Sequence, residues 1–331
     1  MGGNALKTVG VERKDLEGYT EVVDVVVACL RRLFRRVEVA PIPFYKEKTS
    51  FGDADILIGD AFLPSQWKKI LHLVFPHSTF VENGDVLSFD VNKFQVDLIV
   101  VPSESFDFAL NYFSFNDLGN LMGRVARKIG LKYGHLGLFA PLKDGTNQFA
   151  EVLVTKNTEE AFSVLGYSYS RFLEGFCSMQ DVFAFAMSSP YAVKDIFLLE
   201  NRNAKARQRD SKRPNYHAFL EWLDSSYIPE QEVLPPAGIE WIGDRIPWFA
   251  ERLNVALDNH EEAKKLRRAW NGDLVNQMTG FEGPLLGKFM QYCKNKPDFE
   301  QAVFSSGIDL WVQKQALSSD WLGVKNKSDF Q

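Results

Sequence analysis

An apolar stretch of eight residues, Phe94–Val101, carries a single aspartate, Asp97, and is followed by a proline. Apolar residues of this kind that end at Pro102 predict a β-strand. A carboxylate within an apolar strand costs free energy unless a specific partner binds it. The fold must therefore bring a polar group or a cation to this strand.

A second acidic strand is predicted just after a turn-like segment. Asp53 and Asp55 are two residues apart, so in a strand they project from the same face, where like charges are costly unless a cation neutralises them. Gly52 permits a close backbone approach or a positive φ. An Asp-x-Asp pair at such a junction is often turn chemistry, but Asp97 adds a third carboxylate. Oxygen ligands of this kind suit Mg²⁺ or Mn²⁺, and two such ions ~3.5–4 Å apart support in-line displacement at phosphorus.

The order of predicted elements is that of an α+β fold on a mixed sheet. Apolar spacing predicts helices and strands in the first half of the chain. The helices cover residues 19–36, 63–75, 103–112 and 117–129, and the strands cover 37–42, 56–58, 79–81, 86–89 and 94–101.

Strand signals almost vanish after residue 175, where helical patterns dominate. Helices are predicted over residues 180–187, 216–223, 248–259, 261–270 and 285–293, with breaks at 228–236 and 272–284. We therefore predict a flexible N-terminus (1–18), a catalytic domain (19–175) and a helical acceptor-binding domain (176–331).

Composition excludes several classes of protein. The longest uninterrupted apolar run, residues 25–30, is too short to cross a bilayer, so no membrane partner is expected. Three cysteines without metal-ligand spacing indicate reduced thiols in a cytoplasmic protein. The absence of a P-loop and of a glycine-rich dinucleotide fingerprint argues against P-loop ATP hydrolysis and hydride transfer.

A local basic run stands out because the net charge of the chain is −5. Residues 201–213 hold six basic residues and one acid, which favours contact with an anionic polymer. Tyr216, His217 and Trp222 nearby are candidates for stacking on bases. A solvated charged helix end is the open alternative. The predicted acceptor-binding residues are Arg202, Lys205, Arg207, Arg209, Lys212 and Arg213.

The aspartates and their flanks resemble the nucleotidyltransferase superfamily, and within it the family X DNA polymerases. Residues 50–56 match that family's Ser-x-Gly-Asp-x-Asp-hydrophobic run, and residues 96–102 match its third aspartate in an apolar strand ending at a proline. Residues 112–117 are similar to its Tyr-Phe-Thr-Gly-Ser element, and residues 159–169 to its Glu-x-x-Ile-Phe-x-x-Leu-Gly-x-x-Tyr segment. These matches cover about half of the chain.

The resemblance implies a polymerase beta-like palm in which Asp53, Asp55 and Asp97 hold two metal ions and carry out the catalysis. It also implies a nucleotide pocket that takes an NTP such as ATP. The candidate nucleotide-binding residues are Lys46, Lys48, Ser50, Gly52, Tyr112, Phe113, Ser114, Asn116, Asp117 and Asn120.

The chain departs from that family at several points. The Gly-Ser pair that grips the triphosphate is missing, and Lys46 and Lys48 are candidates to replace its positive charge. Phe115 stands where the family has a glycine next to the sugar. The lyase and helix-hairpin-helix modules have no counterpart, so gap filling on duplex DNA is not expected.

A fainter resemblance concerns the C-terminal half. Residues 271–275 and 283–288 are similar to the tail of CCA-adding enzymes and bacterial poly(A) polymerases, which would imply an RNA 3′ end as acceptor. Chain chemistry alone also explains a loop followed by a Gly-Pro helix start.

The expected function is metal-dependent transfer of a nucleoside monophosphate from an NTP to an acceptor hydroxyl. The expected acceptor is a nucleic-acid 3′ end, with RNA (tRNA included) favoured over duplex DNA. Transfer to a small molecule or protein, and a catalytically lapsed nucleic-acid-binding module, are the alternatives.

Overall fold

The computed structural model describes residues 5–6, 10–226, 233 and 237–328. The chain divides into two compact units, Met1–Glu251 and Arg252–Gln331. The predicted break at residues 228–236 lies outside the described residues, except for Val233.

A mixed sheet of five strands forms the centre of the first unit, and it confirms the predicted α+β class. The strands are β1 (Val39–Pro41), β2 (Asp53–Gly59), β3 (Phe80–Asn83), β4 (Val86–Val91) and β5 (Phe94–Val101), in the order β1-β2-β5-β4-β3. Strands β2 and β5 are parallel and the other neighbours are antiparallel. Parallel neighbours require a crossover, and here helix α2 (Trp67–Val74) and the β3–β4 hairpin supply it.

Both faces of the β2–β5 pair are covered. Ala54, Ile56 and Ile58 pack in one core with helix α1 (Leu16–Leu33), whereas Leu57 and Ile99 pack in a second core with helix α3 (Phe106–Phe113). Because side chains alternate along a strand, the aspartates of β2 and β5 lie on the same face as Leu57 and Ile99.

A second sheet has no counterpart among the predicted strands. After helix α4 (Leu118–Lys128), strands β6 (Lys132–Gly134), β7 (Gly137–Asp144) and β8 (Asn147–Thr155) form an antiparallel sheet. The turn between β7 and β8 contains Asp144-Gly145 with Gly145 at φ 60°. An Asp-Gly pair between alternating apolar residues is a strong hairpin signal, and it was available in the sequence.

The chain is helical from residue 158 onward in the part that the structure describes. The helices of the first unit are α5 (Thr158–Leu165), α6 (Tyr169–Leu173), α7 (Met179–Ala186), α8 (Ala204–Asp210), α9 (Pro214–Ser225) and α10 (Ile242–Arg245). Helix α7 packs against α4 and α9. The last described strand ends at Thr155, before the predicted boundary at residue 175, and that boundary lies inside the first unit, whose end is Glu251.

Two predicted helices are a single helix. Helix α11 (Pro247–Ala269) continues through residue 260. The apolar spacing had predicted two helices here, over residues 248–259 and 261–270. No glycine or proline follows Pro247 within this helix to interrupt it, so helical hydrogen bonding continues.

The second unit is built from helices α12 (Gly272–Thr279), α13 (Gly283–Lys294), α14 (Phe299–Val303), α15 (Ile308–Ala316) and α16 (Ser319–Ser328). Its core contains Phe289 and Trp321, both 0% exposed. Most of the break predicted at residues 272–284 is helical, as α12. The side chain of Asn271 caps the start of this helix by accepting from the Leu274 N–H (3.1 Å). Gly280, at φ 71°, ends it. No described helix is both long enough and apolar enough to cross a membrane.

Candidate metal centre

Two parallel strands bring the three predicted aspartates together. In the β2–β5 register Asp55 lies opposite Asp97, and Asp53 lies opposite Gln95. Carboxylate oxygens of Asp53, Asp55 and Asp97 all lie within 4.8 Å of one another. The sequence placed these residues on two strands, and the parallel register is what makes them converge.

The site is electrostatically costly without a cation. Burial, reinforced by Asp53 and Asp97, raises the pKa of Asp55 to about 8, and Lys48 opposes this shift. Asp55 Oδ1 is buried and has no hydrogen-bond partner among the described residues. An all-carboxylate donor set with such an oxygen matches the ligands that Mg²⁺ and Mn²⁺ prefer, so these residues fit a divalent ion.

Gln95 orients Asp97 and was not predicted. Its side-chain amide donates to both carboxylate oxygens of Asp97 (2.9 and 3.1 Å), and its own oxygen accepts from the backbone N–H of Leu6 (3.3 Å). Burial raises the pKa of Asp97, which is 3% exposed, while hydrogen bonds from Ser88 and Gln95 oppose the rise. Position 95 shares a strand face with position 97, and this is the sequence signal that could have identified it.

Two aromatic rings pack beside Lys48, next to the aspartates. Tyr19 stacks on Phe51 with ring centres 4.1 Å apart, and burial, followed by Asp55 and Asp53, raises the pKa of Tyr19 to about 12. The Lys48 ammonium lies 4.7 Å from the centre of the Phe51 ring. Burial lowers the pKa of Lys48, while the charges of Asp53 and Asp55 raise it.

The other candidates before β2 have different surroundings. Lys46 is exposed, and its backbone N–H donates to the Phe176 carbonyl (3.0 Å). Ser50 accepts from Arg13 through its hydroxyl (2.9 Å) and its carbonyl (3.0 Å). Of the two roles predicted for Gly52, a close approach is the one observed, because a Cβ there would lie 2.8 Å from Arg13 Nη1.

The segment after α3 turns sharply beside the segment that joins β1 to β2. Phe115 and Asn116 have φ values of 59° and 63°, in the left-handed region. The Phe115 N–H donates to the Pro43 carbonyl (2.9 Å), and the Ile42 N–H donates to the Asp55 carbonyl (3.0 Å). These bonds link the turn to the aspartate strand.

The remaining predicted residues of this segment are mostly half-buried. Tyr112 and Phe113 are half-buried at the end of α3 and form an edge-to-face pair with ring centres 5.3 Å apart. Ser114 is 1% exposed, and its hydroxyl donates to the Leu110 carbonyl (2.7 Å). The hydroxyl of Ser114 is therefore engaged within the helix.

The basic run reaches the start of helix α4. Arg213 pairs with Asp117 (2.6 Å), and Asn120 Oδ1 accepts from Arg209 (3.2 Å) and Arg124 (3.1 Å). The fold thus brings part of the predicted acceptor-binding run to two of the predicted nucleotide-binding residues.

A buried aspartate pairs with several of the basic residues. Asp210 is 0% exposed and lies 2.9 Å from both Arg124 and Arg202, and 3.1 Å from Arg209. Arg202 is only 7% exposed, which places it inside the protein and not on an acceptor-facing surface. Two positive charges of the run are therefore directed at one internal carboxylate.

The exposed part of the run is smaller than its sequence suggests. Lys205, Arg207, Arg209 and Lys212 are exposed, but Arg209 pairs with Asp210, and Arg207 also donates to the Arg202 carbonyl (2.9 Å). Tyr216 is 0% exposed and its hydroxyl donates to the Phe197 carbonyl (2.6 Å). The predicted stacking of Tyr216 on a base is therefore wrong.

His217 and Trp222 lie on the same helix as Tyr216. His217 is exposed, and its Nε2 lies 2.8 Å from the Ser211 carbonyl. Trp222 is half-buried and stacks on Phe219 with ring centres 6.2 Å apart.

The fold and the site together define an α+β protein with a carboxylate centre on two adjacent parallel strands. In comparisons with known proteins, no protein-family model matches the chain and no curated protein matches its sequence.

Proposed function

We propose that this protein is a metal-dependent nucleotidyltransferase that moves a nucleoside monophosphate from an NTP to an acceptor hydroxyl. The main observation behind this proposal is that carboxylate oxygens of Asp53, Asp55 and Asp97 lie within 4.8 Å of one another. The buried, unpartnered oxygen of Asp55 supports it. Carboxylates crowded in this way destabilise a fold unless they bind a cation, and this argues against a lapsed binding module.

Each aspartate has a distinct role in this proposal. Asp53 and Asp55 would hold one divalent ion for the triphosphate, and all three aspartates would hold a second for the acceptor. Such ions would supply positive charge to offset the charge that develops on the phosphoryl oxygens. Asp97, oriented by Gln95, accepts the proton of the acceptor hydroxyl. The acceptor oxygen then bonds to the α-phosphorus while the bond from that phosphorus to the pyrophosphate oxygen breaks.

The nucleotide lies, in this proposal, between Lys48 and the Tyr112–Asn116 turn. Lys48 offers a positive charge close to Asp53 and Asp55. The turn is linked through Pro43 and Ile42 to the strand that carries Asp55. Lys48 thus lies in the segment that leads into β2, and the turn is hydrogen-bonded to that same segment.

The acceptor in our leading proposal is a nucleic-acid 3′ end, with RNA favoured over duplex DNA. The exposed Lys205, Arg207 and Lys212 are the cations available to its phosphates. A small molecule or a protein side chain is the second candidate. The pairing of Arg202, Arg209 and Arg213 with Asp210 and Asp117 favours it, because that pairing leaves less charge for a polymer.

The decisive test incubates the purified chain with labelled NTPs, Mg²⁺ or Mn²⁺, and separate pools of RNA and DNA. We expect label to move onto RNA, and the Asp53→Asn/Asp55→Asn double variant to transfer none. Labelling of neither polymer, combined with labelling of a small molecule or protein in a cell extract, would establish the second candidate. Failure to bind any NTP in the presence of either metal would contradict nucleotidyl transfer altogether.

A further inference from the structure

The segment that precedes α1 crosses the starts of both aspartate-bearing strands. The Lys14 N–H donates to the Phe51 carbonyl (2.9 Å) and the Phe51 N–H to the Lys14 carbonyl (2.8 Å), just before β2. Two residues earlier, the Glu12 N–H donates to the Lys93 carbonyl (2.7 Å), just before β5. Arg13 lies between these two attachments. This segment therefore holds Arg13 at the end of the sheet where β2 and β5 begin, next to Asp53.

Two hydrogen bonds fix the guanidinium of Arg13 in place. Its Nε donates to the Ser50 hydroxyl (2.9 Å), and its Nη2 donates to the Ser50 carbonyl (3.0 Å). A guanidinium carries more N–H donors than these two bonds use. The side chain of Arg13 is exposed, and both of its side-chain hydrogen bonds to the described residues go to Ser50. Its remaining N–H groups therefore face solvent beside the site.

The glycine before Asp53 makes room for this arginine. A Cβ at Gly52 would lie 2.8 Å from Arg13 Nη1, closer than side-chain atoms normally approach. Any other residue at position 52 would displace the guanidinium. Gly52 thus serves to bring a cation next to the first aspartate.

Lys48 is a second cation at the same place. Its ammonium lies 4.7 Å from the centre of the Phe51 ring, and Phe51 is the residue that pairs with Lys14. The pKa of Lys48 is lowered by burial, raised by Asp53 and Asp55, and lowered again by Arg13. Lys48 therefore lies close enough to Asp53, Asp55 and Arg13 to be influenced by the charge of each.

We propose that Arg13 binds the polyphosphate chain of the NTP, together with Lys48, next to the aspartates. This inference rests on the proposed function, and it assigns the phosphate-binding charge to a residue far from the aspartates in the sequence. The planar guanidinium matches the spacing of phosphate oxygens and forms charge-assisted hydrogen bonds with them. The bonds to Ser50 hold it in one orientation, so little side-chain freedom is lost on binding.

The test measures binding by calorimetry with three probes in Mg²⁺: ATP, inorganic tripolyphosphate and AMP. Arg13→Gln should weaken the binding of ATP and tripolyphosphate about ten- to a hundredfold, as expected for loss of hydrogen bonds from a charged donor. Affinity for AMP should stay within about twofold. Arg35→Gln, which removes an exposed arginine just after α1, is the matched control and should leave all three affinities unchanged.

A second variant guards against a purely structural effect of the first. Gly52→Ala leaves Arg13 in the chain but displaces its guanidinium, and it should weaken the same two probes while sparing AMP. Equal affinity of Arg13→Gln and wild type for ATP and tripolyphosphate would overturn this inference and leave the proposed function standing. An equal loss of affinity for all three probes would also overturn it, because it would indicate a structural role. A wild type that binds neither ATP nor tripolyphosphate would overturn both proposals.

Discussion

Asp55 is the aspartate of the site whose negative charge is least stabilised by its surroundings. Its carboxylate is held between Asp53 and Asp97, and one of its oxygens is buried without a partner among the described residues. Its pKa rises from an ordinary 3.8 to about 8. Between these values the folded chain keeps a proton that the unfolded chain has released, so the free energy of unfolding falls as the pH rises.

The first prediction concerns this pH dependence. In metal-free buffer the contribution of Asp55 to stability is fully present below pH about 4 and is lost as the pH rises through about 8. Wild type should therefore lose stability between pH 5 and 8 more steeply than Asp55→Asn, as measured by urea unfolding. Asp24→Asn, an exposed change on α1, should keep the wild-type slope.

Mg²⁺ should reverse the trend, because the metal binds the ionised carboxylates. It should stabilise wild type more at pH 8 than at pH 5, by about 2.7 kcal/mol when its concentration is a hundred times its Kd. Asp55→Asn should gain little from Mg²⁺ at either pH. Parallel pH profiles for wild type and Asp55→Asn, with no effect of Mg²⁺, would show that the triad binds no metal.

The second prediction separates binding from chemistry at Asp97. Asp97→Asn keeps the shape of the side chain but removes its charge, and the bonds from Gln95 show that it is held in one orientation. Transfer should fall roughly 10²–10⁴-fold, the range for loss of a positioned general base. NTP affinity should change only a few fold, because Asp53 and Asp55 remain. Single-turnover rates and nucleotide titrations check this, and near wild-type turnover would remove Asp97 from the mechanism.

The turn after α3 is a strained element of the described structure near the site. Phe115 and Asn116 are consecutive non-glycine residues with positive φ, each of which costs roughly 1–2 kcal/mol. The Phe115 ring is 8% exposed and meets Phe172 and Phe176 edge-on, with ring centres 5.4 and 4.7 Å apart. The packing of this ring offsets the strain of its backbone.

The third prediction compares glycine substitutions at these two positions. Phe115→Gly relieves the backbone but removes a buried ring, whose loss costs roughly 3–5 kcal/mol. The net loss of stability should therefore be about 2–3 kcal/mol. Asn116→Gly relieves the same strain without removing a buried ring, but glycine loses more backbone freedom on folding, at a cost of roughly 0.5–1 kcal/mol. Its free energy of unfolding should therefore change by less than about 1 kcal/mol. Urea unfolding of both variants tests this, and a stabilised Phe115→Gly would mean that strain outweighs packing.

The elements that the sequence predicted well are those with a local signal. The apolar run of β5 predicted that strand with its observed bounds, because it depends on neighbouring residues only. The strand predicted at residues 56–58 covers only the apolar part of β2. The second sheet was missed although its Asp144-Gly145 turn was visible in the sequence. The contact of Arg13 with Ser50 spans 37 residues, and no periodicity reports a contact of that kind.

The tertiary fold determines which positive charges of residues 201–213 remain available to bind an acceptor. The sequence presents six cations in residues 201–213, but Arg124, 86 residues away in the chain, competes for the same Asp210. A charge buried with its partner is part of the structure, because removing the partner leaves an unpaired buried ion. Local sequence shows that a charge is present, and only the tertiary fold shows where it is directed.

The fourth prediction uses this distinction to test the acceptor. Replacing the exposed Lys205, Arg207 and Lys212 with Gln leaves the ion pairs of Asp210 in place, so the fold should be retained. Each contact with a single-stranded phosphate contributes ~0.7 to the slope of log affinity against log salt concentration, so the slope for RNA should flatten by about 2. Binding of Mg²⁺ and NTP should not change.

A triple Gln variant of Lys264, Lys265 and Arg268, in the second unit, serves as the charge-matched control. If the slope and the turnover on RNA match wild type, the acceptor does not bind to this surface, and a small molecule or a protein becomes the better candidate.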